Sequence, residues 1–157
     1  MPISSEWTTK RLPELGIQFS YPASWHLQDH GHSVGLATMY GALISNVDHG
    51  FEHPDLRDAD TSVFDMRGLP DGLVALSFEQ FNRYNPIANK ETGLPLSLDY
   101  ARIPIDADPY GAGLLHDYIS FRAAGYPRSS VEIHISDITE AERAAIDRIL
   151  ASVKPIP

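Results

Sequence analysis

The chain has 157 residues, of which 43% are hydrophobic and 21% charged, a composition typical of one globular domain spanning residues 1–157. Its formal net charge of −9 argues against nucleic acid as a partner, because affinity for phosphates comes from clustered Lys and Arg. The sequence contains no cysteine, which excludes disulfides, thiolate metal sites and catalysis by a thiol.

The sequence predicts neither a membrane-spanning nor an exported segment. No run approaches the roughly 20 apolar residues that a membrane helix needs. The first ten residues, MPISSEWTTK, lack the basic-then-apolar order of a signal peptide, and there is no cysteine to carry a lipid anchor. We therefore expect no membrane insertion and a cytoplasmic location, or an extracytoplasmic one if a leader has been removed.

The first predicted strand is GIQFSYP, residues 16–22. Ile17, Phe19 and Tyr21 alternate with polar residues, which is the period of a strand with one buried face. Pro22 should end the regular pairing, because proline has no N–H to donate. The segment WHL then resumes an extended path, with Trp25 on the buried face.

The next segments predict a turn followed by a hairpin. The polar run QDHGHS at 28–33 has the composition of a turn. Two apolar runs follow, VGLATM at 34–39 and ALISNV at 42–47, separated by Tyr40 and Gly41. We therefore expect two antiparallel strands that are joined at Tyr40 and Gly41.

The middle of the chain predicts strands separated by long connections. Residues 48–72 form an acidic connection with prolines and glycines, whereas LVALSFEQF at 73–81 is the most apolar strand candidate. We expect this strand to be central in its sheet. Further strands are predicted at 97–103 and 115–121, separated by a loop rich in Pro, Gly and Asp.

The last predicted strand is VEIHI, residues 131–135. Val131, Ile133 and Ile135 alternate with Glu132 and His134. Because successive side chains of a strand point to opposite faces, we expect the aliphatic residues to face inward and the two polar ones outward.

A C-terminal helix follows this strand. Thr139 and Glu142 have the spacing of a capping box, and Pro155 cannot continue the helix, which should end near residue 152 or 153. The apolar residues recur at the spacing of one buried helical stripe: Ile146, Ile149, Leu150 and Val153. Mostly antiparallel strands followed by one strong helix predict an α+β fold.

Two segments at the ends of the chain form a pattern with a known counterpart. GIQFSYPASW at 16–25 contains an aromatic strand, a Tyr-Pro pair, two small residues and a tryptophan. The chain closes with SVEIHI at 130–135 and AAIDRILASVKP at 144–155. In this order the segments resemble the PsbP-like superfamily. The resemblance implies an α/β/α sandwich around a central, mainly antiparallel sheet, and a docking or scaffold role without a shared catalytic motif.

Clustered histidines support a second hypothesis, a metal-binding protein or metal-dependent enzyme. His30 and His32 would share one face of an unbroken strand, where imidazoles can bind a transition metal. His49 and His53 have the i, i+4 spacing by which a helix presents two imidazoles to one ion. Gly31 opposes the first site, because glycine favours a turn between the two histidines.

The preferred hypothesis is a non-enzymatic module that binds a protein or small-molecule partner through its loops, without a cofactor. The G-x-S-x-G, Walker and H-E-x-x-H motifs do not occur in the sequence. Tyr84, Tyr110 and Tyr126, each in a segment with Asn, Pro or Gly, are the expected contact residues. A third hypothesis is an acidic accessory or immunity-type protein that its charge steers toward a basic partner.

Overall fold

The structure is a computed structural model that describes residues 3, 5–34, 37–47, 72, 74–81, 91–100, 115–126, 128–135 and 138–157. Within these residues, strands in two sheets surround the inner face of a C-terminal helix. The predicted α+β class is therefore confirmed.

The smaller sheet has three antiparallel strands and contains both ends of the described chain. It consists of β1 (Trp7–Leu12), β2 (Ile17–Pro22) and β9 (Lys154–Pro155), with β2 in the centre. The strand predicted at 16–22 is thus confirmed as β2, whereas β1 and β9 were not predicted. Gly16 lies in the turn between β1 and β2 at a φ of +71°, a conformation that glycine adopts without strain.

The larger sheet has six strands in the order β3-β4-β5-β8-β7-β6. All neighbours are antiparallel except β6 and β7, which are parallel. The strand predicted to be central, β5, lies between β4 and β8. The six strands are β3 (His26–Val34), β4 (Ala37–Ser45), β5 (Val74–Phe81), β6 (Glu91–Thr92), β7 (Leu115–Phe121) and β8 (Ser129–Ile135).

The helix, α1 (Glu140–Ser152), has the boundaries that the sequence predicts. The Thr139 hydroxyl accepts a hydrogen bond from the Glu142 amide at 3.2 Å, and the Glu142 carboxylate accepts one from the Thr139 amide at 3.4 Å. The predicted stripe is buried, because its spacing places all its apolar residues on one face. Within the described residues, no helix is long and apolar enough to cross a membrane.

One hydrophobic core joins the helix to both sheets. Phe19 of β2 stacks on Phe78 of β5, with ring centroids 4.4 Å apart, so the two sheets share their buried faces. The end of α1 is fastened to β2, because the Ser152 hydroxyl accepts a hydrogen bond from the Ser20 amide at 2.8 Å. Trp25 is also buried in this core, as predicted.

The β3–β4 hairpin differs from the prediction. Residues 28–33 continue β3 instead of forming a turn, and Gly31 pairs with Tyr40 inside the ladder. Tyr40 and Gly41 therefore lie within β4 and do not join two strands. The long run of backbone hydrogen bonds outweighs the local preference of glycine for a turn. Glycine is needed at 41, because a Cβ there would collide with the Phe78 carbonyl oxygen of β5.

The segment after β6 also differs from the prediction, since residues 97–100 lie outside any strand. The Leu96 amide donates to the Leu150 carbonyl oxygen of α1 at 3.2 Å. Leu96 and Leu98 bury their side chains in the core. This segment therefore packs along the helix instead of adding a strand. Residues 101–103 of the predicted strand lie outside the described part of the chain.

Candidate functional site

The two faces of the larger sheet differ in chemistry. Leu76 and Phe78 of β5 face the hydrophobic core, as do their partners on β8. On the opposite face of these two strands, four polar residues lie at neighbouring positions. Ser77 pairs with Glu132 and Glu79 pairs with Ser130, so these side chains form one patch across two central strands, which we name the carboxyl cluster (Ser77, Glu79, Ser130 and Glu132).

All four members of the carboxyl cluster are buried. Glu79 and Glu132 are each 2% exposed, and Ser130 is 3% exposed. Glutamate is almost never fully buried unless its charge is compensated, because removing a carboxylate from water costs several kcal/mol. The burial of two glutamates at adjacent positions is therefore the most unusual feature of the described structure.

The environment of Glu79 favours its neutral form. The pKa of the Glu79 carboxyl is raised from its ordinary value of 4.5 to about 8, mainly by burial and in addition by the nearby Glu132 carboxyl. The Ser77 hydroxyl donates to Glu79 Oε1 at 2.9 Å, which opposes the rise. At neutral pH, Glu79 therefore carries a proton and can both donate and accept a hydrogen bond.

Within the described residues, the Ser130 hydroxyl is a buried polar group without a hydrogen-bond partner. It lies directly opposite Glu79 in the β5–β8 ladder, at a distance where facing side chains can touch. Its Oγ is buried, yet in the part of the chain that the structure describes it makes no hydrogen bond. Buried hydroxyls nearly always have a partner, so an unpaired one beside a carboxyl pair indicates a position for a further group.

Small and apolar residues flank the carboxyl cluster. On β4, Gly41 is the register partner of Glu79 and Leu43 is the partner of Ser77. On β7, the buried Ser120 is the partner of Ser130. Along the sheet, the cluster is therefore flanked by a glycine, a leucine and a serine.

The predicted orientation of Glu132 is wrong. Alternation correctly places it on the face opposite Val131 and Ile133, but that face is buried at this position. Glu79 was not predicted as a site residue at all. The signal that could have found it is the glutamate inside the apolar run LVALSFEQF, because a nearly continuous hydrophobic run is typical of a strand that is buried on both faces.

Of the three tyrosines predicted to bind a partner, the structure describes Tyr126. Tyr126 is 40% exposed, and its ring lies against Gly16, where a Cβ would collide with it. Its amide donates to the Ala123 carbonyl oxygen at 3.0 Å, which closes a turn between β7 and β8. Tyr84 and Tyr110 lie outside the described residues.

The histidines predicted to bind metal lie in two regions of the sequence. His30 and His32 both belong to β3, at the register positions opposite Gly41 and Met39. His49 and His53 lie outside the described residues. Among the residues that are described, no group of three or more His, Asp or Glu side chains is arranged to hold a metal ion.

A second polar cluster lies on the surface, where Tyr100 contacts the helix α1. The Tyr100 hydroxyl donates to Asp147 Oδ1 at 3.0 Å, and the Arg143 guanidinium lies 4.0 Å from the ring centroid. Burial and the Asp147 carboxylate raise the pKa of Tyr100 above its ordinary value. These groups satisfy one another, so the cluster has a structural role.

Comparison with known proteins assigns no family to this chain. No family model, no curated protein and no solved structure matches it. The carboxyl cluster is therefore the feature of the described residues from which a function can be inferred.

Proposed function

We propose that this protein is a non-enzymatic binding module that takes a small ligand at the carboxyl cluster. The observation that carries this proposal is the burial of Ser77, Glu79, Ser130 and Glu132 at neighbouring positions of β5 and β8. Apolar residues of similar size would make the sheet more stable, because buried carboxyls carry a desolvation cost. Local conflicts of this kind are expected at functional sites.

Binding fits the cluster better than catalysis. A serine becomes a nucleophile when an adjacent base takes its proton. Because the pKa of Glu79 is raised to about 8, this carboxyl is mainly protonated at neutral pH, and in that form it cannot take a proton from Ser77 or Ser130. The role inferred from the sequence, a non-enzymatic module, is kept, while the proposed site moves from the loops to the face of the sheet.

We further propose the α/β/α arrangement that the PsbP-like resemblance implies. The helix α1 contributes buried side chains to the same hydrophobic core as Leu76 and Phe78 of the larger sheet. A further layer on the other side of the larger sheet would account for the 2% exposure of Glu79 and Glu132. In such an arrangement the ligand would be enclosed between the sheet and that layer.

The test is a nuclear magnetic resonance screen of the whole chain against a library of small cationic, neutral and anionic compounds. We expect amide shifts to centre on residues 77–79 and 130–132. Glu132→Gln should remove these shifts, whereas the matched control Glu91→Gln, at an exposed glutamate paired with Arg122 and Arg128, should retain them. Shifts that centre on the Tyr126 turn would contradict the proposal and support a loop site instead.

A second candidate function is metal binding by His30 and His32, and the continuity of β3 favours it. The strand is unbroken, so Gly31 does not separate His30 from His32 by a turn. A panel of zinc, nickel and manganese with thermal unfolding tests this candidate. A stabilisation of several degrees that His30→Ala removes would support it. The absence of any metal-dependent shift would eliminate it.

A further inference from the structure

A second site, independent of the carboxyl cluster, lies at the end of the hairpin between β7 and β8. We propose that Arg122 and Arg128 bind a phosphate group there. Neither arginine was predicted as a site residue, because the two are six positions apart in a chain that is acidic as a whole.

The β7–β8 ladder places the two arginines opposite each other. Phe121 and Ser129 are the last register partners, and Arg122 and Arg128 follow one position further along the hairpin. Like charges that are directly opposite on two strands are destabilising. This placement therefore calls for an anion between the two guanidinium groups.

The Glu91 carboxylate shows that the two guanidinium groups can hold an oxyanion. Arg122 Nη2 lies 2.8 Å from Glu91 Oε1, and Arg128 Nε donates to the same oxygen at 3.1 Å. The hydrogen bond from Arg128 lowers the pKa of the Glu91 carboxyl, so this group keeps its negative charge at neutral pH. Two positive charges thus converge on one negative charge, and the three side chains together have one positive charge in excess.

The site is open to solvent. The side chains of Arg122, Arg128 and Glu91 are 49%, 30% and 33% exposed. Ion pairs between exposed side chains contribute little stability, because water screens them. A dissolved anion can therefore reach the two arginines and displace the Glu91 carboxylate at small cost.

A phosphate group matches the site better than a carboxylate does. At neutral pH a phosphate monoester carries a charge of about −1.5 to −2 and three acceptor oxygens, whereas a carboxylate carries one charge. Guanidinium groups bind phosphates through pairs of parallel N–H···O bonds. A dianion can balance both arginines, which Glu91 alone does not. One pair of arginines fits one terminal phosphate, since a nucleic acid requires contacts to several phosphates.

The test compares anions on the whole chain by isothermal titration and amide shifts, at neutral pH and constant ionic strength. Inorganic phosphate should bind and shift the amides of residues 91, 122 and 128. Acetate should bind at least about tenfold more weakly, because it brings one charge and two oxygens. Equal binding of acetate and phosphate would overturn the inference, as would phosphate shifts that centre on other residues.

Variants separate a phosphate site from a simple ion pair. Arg122→Gln should weaken phosphate binding at least about tenfold, and Arg122→Lys should also weaken it, because lysine keeps the charge but lacks the planar set of donors. Glu91→Gln should strengthen binding several-fold, because it removes the competing carboxylate. The matched control is Arg11→Gln, at an exposed arginine of β1, which should leave binding unchanged.

Near-ultraviolet circular dichroism checks that each variant is folded, and the comparison of anions needs no variant. If Arg122→Gln binds phosphate as well as the wild type, or if Glu91→Gln fails to raise the affinity, the arginines only form an ion pair and the inference is wrong.

Two further ligands distinguish the sources of the phosphate group. O-Phosphoserine represents a small molecule, and a short peptide that contains phosphoserine represents a modified protein. Equal affinities assign the site to a small phosphate ester, whereas tighter binding of the peptide assigns it to a phosphorylated protein, whose flanking residues add contacts. If no phosphate ligand binds, this inference fails and the proposal for the carboxyl cluster is unaffected, because the two sites share no residue.

Discussion

Replacing Glu79 by glutamine tests the central physical claim about the carboxyl cluster. The pKa of this carboxyl rises from 4.5 to about 8 on folding, so the folded state holds a proton that the unfolded state releases between these values. Stability linked to Glu79 is therefore fully present below pH 4.5 and is lost as the pH rises through 8. The loss is about 1.4 kcal/mol for each pH unit, or about 5 kcal/mol in total.

Glutamine has nearly the same shape and no titration, so Glu79→Gln should remove this loss. Its amide oxygen can still accept the hydrogen bond from Ser77, and its amide nitrogen can donate to the unpaired Ser130 hydroxyl. We expect the variant to resemble the wild type at pH 5 and to be more stable at pH 7 by about 3 kcal/mol, with a larger gain at pH 8.

The assay is urea unfolding at pH 5, 6, 7 and 8 at constant ionic strength, with the free energy of unfolding compared between variant and wild type. Glu91→Gln is the control, because the Arg128 side chain lowers the pKa of Glu91 and its titration lies below this range. A difference between Glu79→Gln and wild type that stays within about 0.5 kcal/mol from pH 5 to pH 8 would refute the raised pKa.

Three further substitutions test the packing around the site. Trp25→Ala should destabilise the fold by about 3 to 5 kcal/mol in urea unfolding, because it empties a buried position, and a change near zero would place Trp25 outside the core. Ser152→Ala should cost about 1 to 2 kcal/mol by leaving a β2 amide unpaired, and an unchanged midpoint would contradict this. Gly16→Ala and Gly125→Ala both force alanine into a positive φ, but only the alanine at position 16 would collide with the Tyr126 ring. The thermal midpoint of Gly16→Ala should therefore fall further than that of Gly125→Ala. Equal losses would mean that the ring moves aside without cost.

Local patterns in the sequence were sufficient to predict those helices and strands that are defined by the spacing of their apolar and capping residues. The capping box at Thr139 and Glu142 and the buried stripe predict α1 nearly to the residue, because a helix is defined by contacts three and four residues apart. The alternation of Ile17 and Phe19 likewise predicts β2. Both elements have one buried face, which is the case that periodicity detects best.

Elements defined by distant partners were not predictable in the same way. β9 has only two residues, and it is a strand because these residues pair with the edge of β2. The length of β3 depends on pairing with β4, which carries the strand through Gly31 against its local preference. Tertiary context decides such segments, because the hydrogen bonds that stabilise them join residues far apart in the chain.

By itself, the amino-acid sequence determined the α+β class, the position of the C-terminal helix and which residues of each strand share a face. Only the tertiary structure decided that the second face of the larger sheet is buried around Glu79 and Glu132. Alternation specifies which side of a strand a residue occupies, since this depends on backbone geometry alone. Whether that side meets water depends on everything packed against it, and this sets the pKa of Glu79 and leaves the Ser130 hydroxyl without a partner.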